Sequence, residues 1–135
     1  MNNRKTHVQR KVMTGEEAAG LIRNGAVVWL SGGGGGINDP DYLLGCIEAR
    51  FLREGAPSGL VLYHSAGMGD KMGGGPDHFA HRGMVRRVIG SHWVWSVNMQ
   101  KLAADEEIEA YVLPQGVMTQ LVREAAARRP GLFTK

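Results

Sequence analysis

Five consecutive glycines, Gly32 to Gly36, follow the apolar run Ala26-Val27-Val28-Trp29-Leu30 and precede Asp39-Pro40. A strand, a glycine loop and a helix in that order place backbone N–H groups beyond the carboxyl end of the strand, where they can hold a phosphate or an oxyanion. Glycine suits the task because no side chain blocks the approach. The named nucleotide motifs nevertheless fail. GxGxxG would need glycine at position 37, which is Ile37, and no Gly-Lys-Ser/Thr exists for a P-loop. A flexible turn is the competing reading. Gly67, Gly69, Asp70 and Gly73 to Gly75 form a second such loop after a second apolar run. On one sheet edge the two loops would face each other; alone, the second reads equally as a surface hinge.

Three further groups of residues invite chemistry. Asp77, His78, His81 and His92 suggest a metal, with His78 and His81 at i, i+3 on one helical face. The zincin pattern of histidines at i, i+4 around a glutamate is absent, so histidines bonded in packing or bordering a ligand are the better reading. Pro114-Gln115-Gly116 falls between a strand and a helix, again at the carboxyl edge. A neutral amide there can orient a carboxylate, or Gln115 simply lies exposed at a helix start. Ser31, Ser65 and Cys46 show no nucleophile elbow, and Glu54 sits in a turn beside Gly55 and Pro57. The chain has binding loops without an evident nucleophile.

These residues must be positioned by alternating helices and strands. Thr14-Gly15-Glu16-Glu17 is a capping box for a short helix closed by Asn24-Gly25. Ala26 to Ser31 reads as a buried strand. Asp39 suits an N-cap and Pro40 the first helical position of a helix with Leu44, Ile47 and Phe51 on one face. Strands are expected at 60–64, 85–90 and 108–113. One or two helical turns are expected over 77–83, and helices at 96–104 and from Val117 to Ala125. This rhythm predicts an α/β domain with an open, mostly parallel sheet and helices on both faces.

Composition narrows the classes. The 135 residues suffice for one domain, and 43% hydrophobic with 21% charged residues is globular. Glycine, at twenty residues, is about twice its usual ~7% share, without the period of collagen. A single cysteine excludes an internal disulfide and a zinc ribbon, and a reducing, cytoplasmic setting is expected. The longest apolar run, five residues, is far short of a membrane span, and the start lacks the apolar stretch of a signal peptide. The net charge of +3 comes from Arg4, Lys5, Arg10 and Lys11; the remainder carries twelve cations against thirteen acids. Residues 1–12 are therefore read as a basic tail and 13–135 as the domain. Binding to nucleic acid is not expected.

Several segments together resemble the family I coenzyme A transferases, in particular the propionate/acetate branch. They are Asn24 to Val28 running into the glycine turn and Pro40, Asp77 to Gly83, Gly90-Ser91-His92-Trp93, Glu109-Ala110-Tyr111, Pro114-Gln115-Gly116, and Pro130 to Lys135. The resemblance spans the chain from about Val12 onward. It implies a Rossmann-like amino-terminal domain, truncated at the carboxyl end, that takes acyl-CoA and carboxylate substrates. It also implies ping-pong transfer through an acyl-glutamyl anhydride and a glutamyl-CoA thioester. The glutamate concerned lies beyond this chain, so no catalytic residue is expected here and the isolated chain is expected to be inactive. No metal or resident cofactor is implied, coenzyme A entering as substrate. Gly32, Gly33, Gly34, Gly35, Gly67, Gln115 and Gly116 are the expected substrate contacts. A carboxyl-terminal half or partner subunit, and a homo-oligomer, are the expected partners. A non-catalytic ligand-binding or assembly module of the same fold is the alternative.

Overall fold

The computed structural model describes residues 12–33 and 35–134. Four strands, β1 (Val27–Leu30), β2 (Leu60–His64), β3 (Val85–Gly90) and β4 (Glu109–Val112), form one sheet in that order, every pair parallel. Between and around them lie α1 (Gly15–Gly20), α2 (Asp41–Glu54), a 3₁₀ turn (Gly75–Phe79), α3 (Val97–Ala104) and α4 (Gln115–Ala126). The basic segment, apart from Val12, lies outside the described residues. No helix among the described residues is long and apolar enough to cross a membrane.

Sequential parallel strands joined by right-handed crossovers put every connecting element on one face. That face holds the core: Leu60, Leu62 and Val88 of the sheet meet Ala19 of α1, Leu44 and Ile47 of α2, Phe79 of the 3₁₀ turn and Met99 of α3. Each of these side chains except that of Ala19 contributes roughly 1.5–3 kcal/mol by leaving water. α4 follows β4 onto the opposite face. There the Tyr63 hydroxyl donates to the Met118 carbonyl at 2.5 Å, and the Tyr63 ring stacks on Trp29 at 4.2 Å. Helices thus lie on both faces, but three connections share one layer.

The capping box forms as expected, Thr14 and Glu17 exchanging bonds of 3.1 and 2.8 Å. Arg50 of α2 then donates to the Ala19 and Ile22 carbonyls, both at 2.9 Å, satisfying acceptors at the end of α1.

Four local expectations need correction. β1 is apolar yet not buried: it is an edge strand, with Val27 62% and Trp29 49% exposed, because α4 covers only part of its face. Asp39 does not cap α2. The helix begins at Asp41, behind Pro40, with no side-chain cap, and the Asp39 carboxylate turns to the neighbouring loop. The turn expected over 77–83 is a 3₁₀ turn that starts earlier, at Gly75. Gln115 and Gly116 are not a connecting loop but the first residues of α4.

Candidate functional site

The strand order never reverses among the described residues, so no switch-point crevice opens in the sheet. A cleft arises instead where the segments leaving β1 and β2 lie against each other. A methyl on Gly33 would touch the Ala66 methyl at 3.7 Å, and one on Gly36 would touch Asp70 Cβ at 3.5 Å. The cleft between them encloses about 310 Å³ and is lined by Gly35, Gly36, Ile37, Asp41, Asp70, Gly74 and Gly75.

The two walls differ chemically. In the segment after β2, carboxylates occupy the backbone donors of Gly69, Met72, Gly74 and Gly75, and the Trp95 carbonyl takes that of Lys71. Asp39 Oδ2 accepts from Gly69 N–H at 2.7 Å, and Asp70 Oδ1 from Met72 and Gly74 at 2.7 and 2.9 Å. Asp41 Oδ1 accepts from Gly75 at 2.7 Å. The bonds from Met72 and Gly74 hold the Asp70 carboxyl below its ordinary pKa, so it stays ionised. In the segment after β1, the N–H groups of Gly33 and Gly35 have no partner among the described residues. The segment after β1 therefore keeps unbonded donors at and beside the cleft, and the segment after β2 carries negative charge.

A histidine–carboxylate cluster braces the second wall from behind. Glu48 Oε2 accepts from His78 Nδ1 and Glu48 Oε1 from His81 Nε2, both at 2.6 Å. A carboxylate only accepts, so these ring nitrogens carry the hydrogens. His78 Nε2 also lies 3.1 Å from Asp41 Oδ1. Burial would raise the Glu48 carboxyl, but the bonds from His78 and His81 outweigh it and hold its pKa below the ordinary value. No group of three histidines, cysteines or carboxylates with metal-holding geometry occurs among the described residues. Asp77, buried, instead accepts from the Asn98 and Met99 N–H groups and caps α3.

Beneath the cleft, His64 is buried and its Nδ1 donates to the Ala66 carbonyl at 2.8 Å. Burial lowers its pKa, so the ring is neutral with Nε2 as acceptor. Ser96 Oγ donates to the Met68 carbonyl at 2.8 Å and ties α3 to the same loop.

The seven residues expected to touch substrate are not all brought together. Gly35 lines the cleft and Gly33 stands beside it. Gly32 and Gly67 are packed inward, the first against Asp39 and Met68, the second against the His92 ring. Gly34 lies outside the described residues. Gln115 and Gly116 are exposed at the start of α4, on the carboxyl edge of the sheet but outside the cleft lining. The acidic residues Asp39, Asp41, Asp70 and Glu48 shape the site. For Asp41 and Glu48 a signal existed in their i, i+7 spacing, which puts both on one face of α2 toward the His78/His81 pair.

Residues 12–135 match the family model for coenzyme A transferase. The chain is 32% identical over 123 residues to the acetate CoA-transferase YdiF of Escherichia coli K12, covering 91% of this chain and 23% of that protein. It is 34% identical over 125 residues to the caffeate CoA-transferase of Acetobacterium woodii, covering 93% of this chain and 24% of that one. Its fold matches the crystal structure of the acyl-CoA transferase YdiF apoenzyme from Escherichia coli O157:H7 with a TM-score of 0.86 at 33% identity, over 90% of this chain and 24% of that one. A thioester complex of that enzyme with CoA gives 0.85 at 32% identity, over 89% and 23%. The chain thus spans under a quarter of the length of these relatives. With the model matched across nearly its whole length and the same parallel sheet beneath it, this chain belongs to the coenzyme A transferase family.

Proposed function

We propose that the chain is the amino-terminal portion of an acyl-CoA:carboxylate CoA-transferase acting on short-chain acids. In this reading it works in a reducing, cytoplasmic setting and is completed by a carboxyl-terminal half or partner subunit. The observation that carries the reading is a cleft with one donor wall and one anionic wall at the strand ends, in a chain of this family.

In this reading a glutamate supplied from outside residues 1–135 attacks the acyl-CoA carbonyl. The carbonyl oxygen becomes an oxyanion, the C–S bond breaks, and CoA thiolate leaves an acyl-glutamyl anhydride. The thiolate attacks the glutamyl carbonyl, releasing the first acid as carboxylate and leaving a glutamyl-CoA thioester. The second acid reverses the sequence. This chain contributes the N–H groups of Gly33 and Gly35 to the oxyanion, each such donor being worth about 2.7–4 kcal/mol in comparable sites. The Asp41/Asp70 wall repels a second anion and biases the reacting oxygen toward those donors. Gln115, on the same edge of the sheet, is the polar contact assigned to the acid substrate.

Transfer from propionyl-CoA to acetate is the test. The purified 135-residue chain is expected to show no turnover above a buffer blank, and adding the complementary carboxyl-terminal polypeptide is expected to produce it. Turnover by the chain alone would contradict the external glutamate. Acyl-CoA binding that no complementary chain converts to turnover would leave only a binding module.

A further inference from the structure

We infer that Asp39 is a positioning residue whose carboxylate pins the two glycine segments together and sets the width of the cleft between them. The inference deepens the reading of that cleft as the transfer site and, for its role in catalysis, rests on it.

The geometry is specific. Asp39 lies three residues beyond Gly36, the last glycine of the first run, and its own N–H reaches the Gly36 carbonyl at 3.4 Å. Its Oδ2 crosses to the other segment and accepts from Gly69 N–H at 2.7 Å. Its Oδ1 is buried without a partner among the described residues and fills the space where a side chain on Gly32 would stand, so a methyl there would collide with it. On the far side, a methyl on Gly75 would come within 2.7 Å of Oδ2 and of the Gly69 backbone. One carboxylate therefore occupies room left by glycines of both segments while holding the amide of a third.

A buried acceptor without a partner is costly, and each instance asks for an explanation. Capping α2 is not the explanation, since that helix starts at Asp41 without a side-chain cap. Bridging the segments is. Without the bridge, the free donors of Gly33 and Gly35 lose their fixed distance from the Asp41/Asp70 wall, and oxyanion stabilisation depends steeply on that placement.

Amide hydrogen exchange on the assigned 135-residue chain tests the pin. Asp39→Ala is expected to reduce protection of the Gly69 amide by roughly tenfold or more, as befits a lost bond to a charged acceptor. Asp39→Asn, which keeps an acceptor oxygen, is expected to retain it within about threefold. Protection of Leu62 in the centre of β2 is expected to be the same in all. Gly32→Ala is expected to displace the carboxylate and reproduce the Gly69 loss, and joining it to Asp39→Ala is expected to add nothing. Unchanged Gly69 protection in Asp39→Ala, an equal loss in Asp39→Asn, or additive losses in the double variant would each overturn the pin. An equal fall at Leu62 would reduce Asp39 to a general stabiliser. If the alanine variant does not fold, the asparagine and Gly32→Ala variants decide the matter. None of these readouts uses acyl transfer. Failure of CoA transfer in the completed protein would overturn the functional reading alone and leave the pin standing.

Discussion

The segments leaving β1 and β2 are both glycine-rich, and both end strands on the same edge, yet their backbones are put to opposite uses. After β2, the N–H groups of Gly69, Met72, Gly74 and Gly75 are spent on Asp39, Asp70 and Asp41. After β1, those of Gly33 and Gly35 remain free among the described residues. Glycine content alone does not make an anion site. What decides is whether a carboxylate within reach has already taken the donors, because a filled N–H cannot also serve an oxyanion.

The largest expected effect falls on the free-donor side. Gly35 has φ of +70° and stands 3.7 Å from the Trp95 ring at its missing Cβ, so a valine there must move the backbone. In the completed transferase, Gly35→Val is expected to lower kcat about 100-fold, the worth of one misplaced oxyanion donor, with a small change in Tm. A loss of Tm without loss of kcat would make this segment a hinge.

Next in size is Gln115. Its removal as Gln115→Ala is expected to lower kcat/KM about tenfold, near 1.4 kcal/mol. Unchanged kinetics would leave Gln115 as an exposed helix-start residue and confine the site to the glycine cleft.

The smallest effect lies behind the anionic wall. Because the folded Glu48 pKa is lowered from its ordinary value of about 4.5, its bonds to His78 and His81 stabilise the fold above that pH and are lost as pH falls through the folded value. Urea midpoints of the wild-type chain and Glu48→Gln are therefore expected to differ at pH 6 to 7 and to converge as pH drops below about 4.5. A constant difference across that range would show that Glu48 contributes through packing rather than charge.

Much of this fold was legible in the sequence, because local rules and tertiary structure agree there. The Thr14/Glu17 capping box, the strands at Leu60–His64 and Val85–Gly90, and the apolar stripe of α4 all stand where periodicity and caps put them. The edge position and exposure of β1 were not legible, because edge or centre depends on strand order, which composition does not encode. Read locally, Asp39 is a cap. Its partner, Gly69, is thirty residues away, and only the folded chain shows that the long-range bond wins. The same distance hid Glu48, which becomes meaningful once His78 and His81 come to lie beside it. The likeness to a transferase was readable from scattered short segments, but which glycines face the cleft and which pack inward required the structure.

The division between the two walls is tested most directly by titrating ¹⁵N-labelled chain with propionyl-CoA and following the glycine amides by NMR. If the division holds, the largest shifts fall at Gly33 and Gly35, with Gly69, Gly74 and Gly75, already bonded to carboxylates, nearly still. Shifts concentrated at Gly69, Gly74 and Gly75, or none at Gly33 and Gly35, would contradict it.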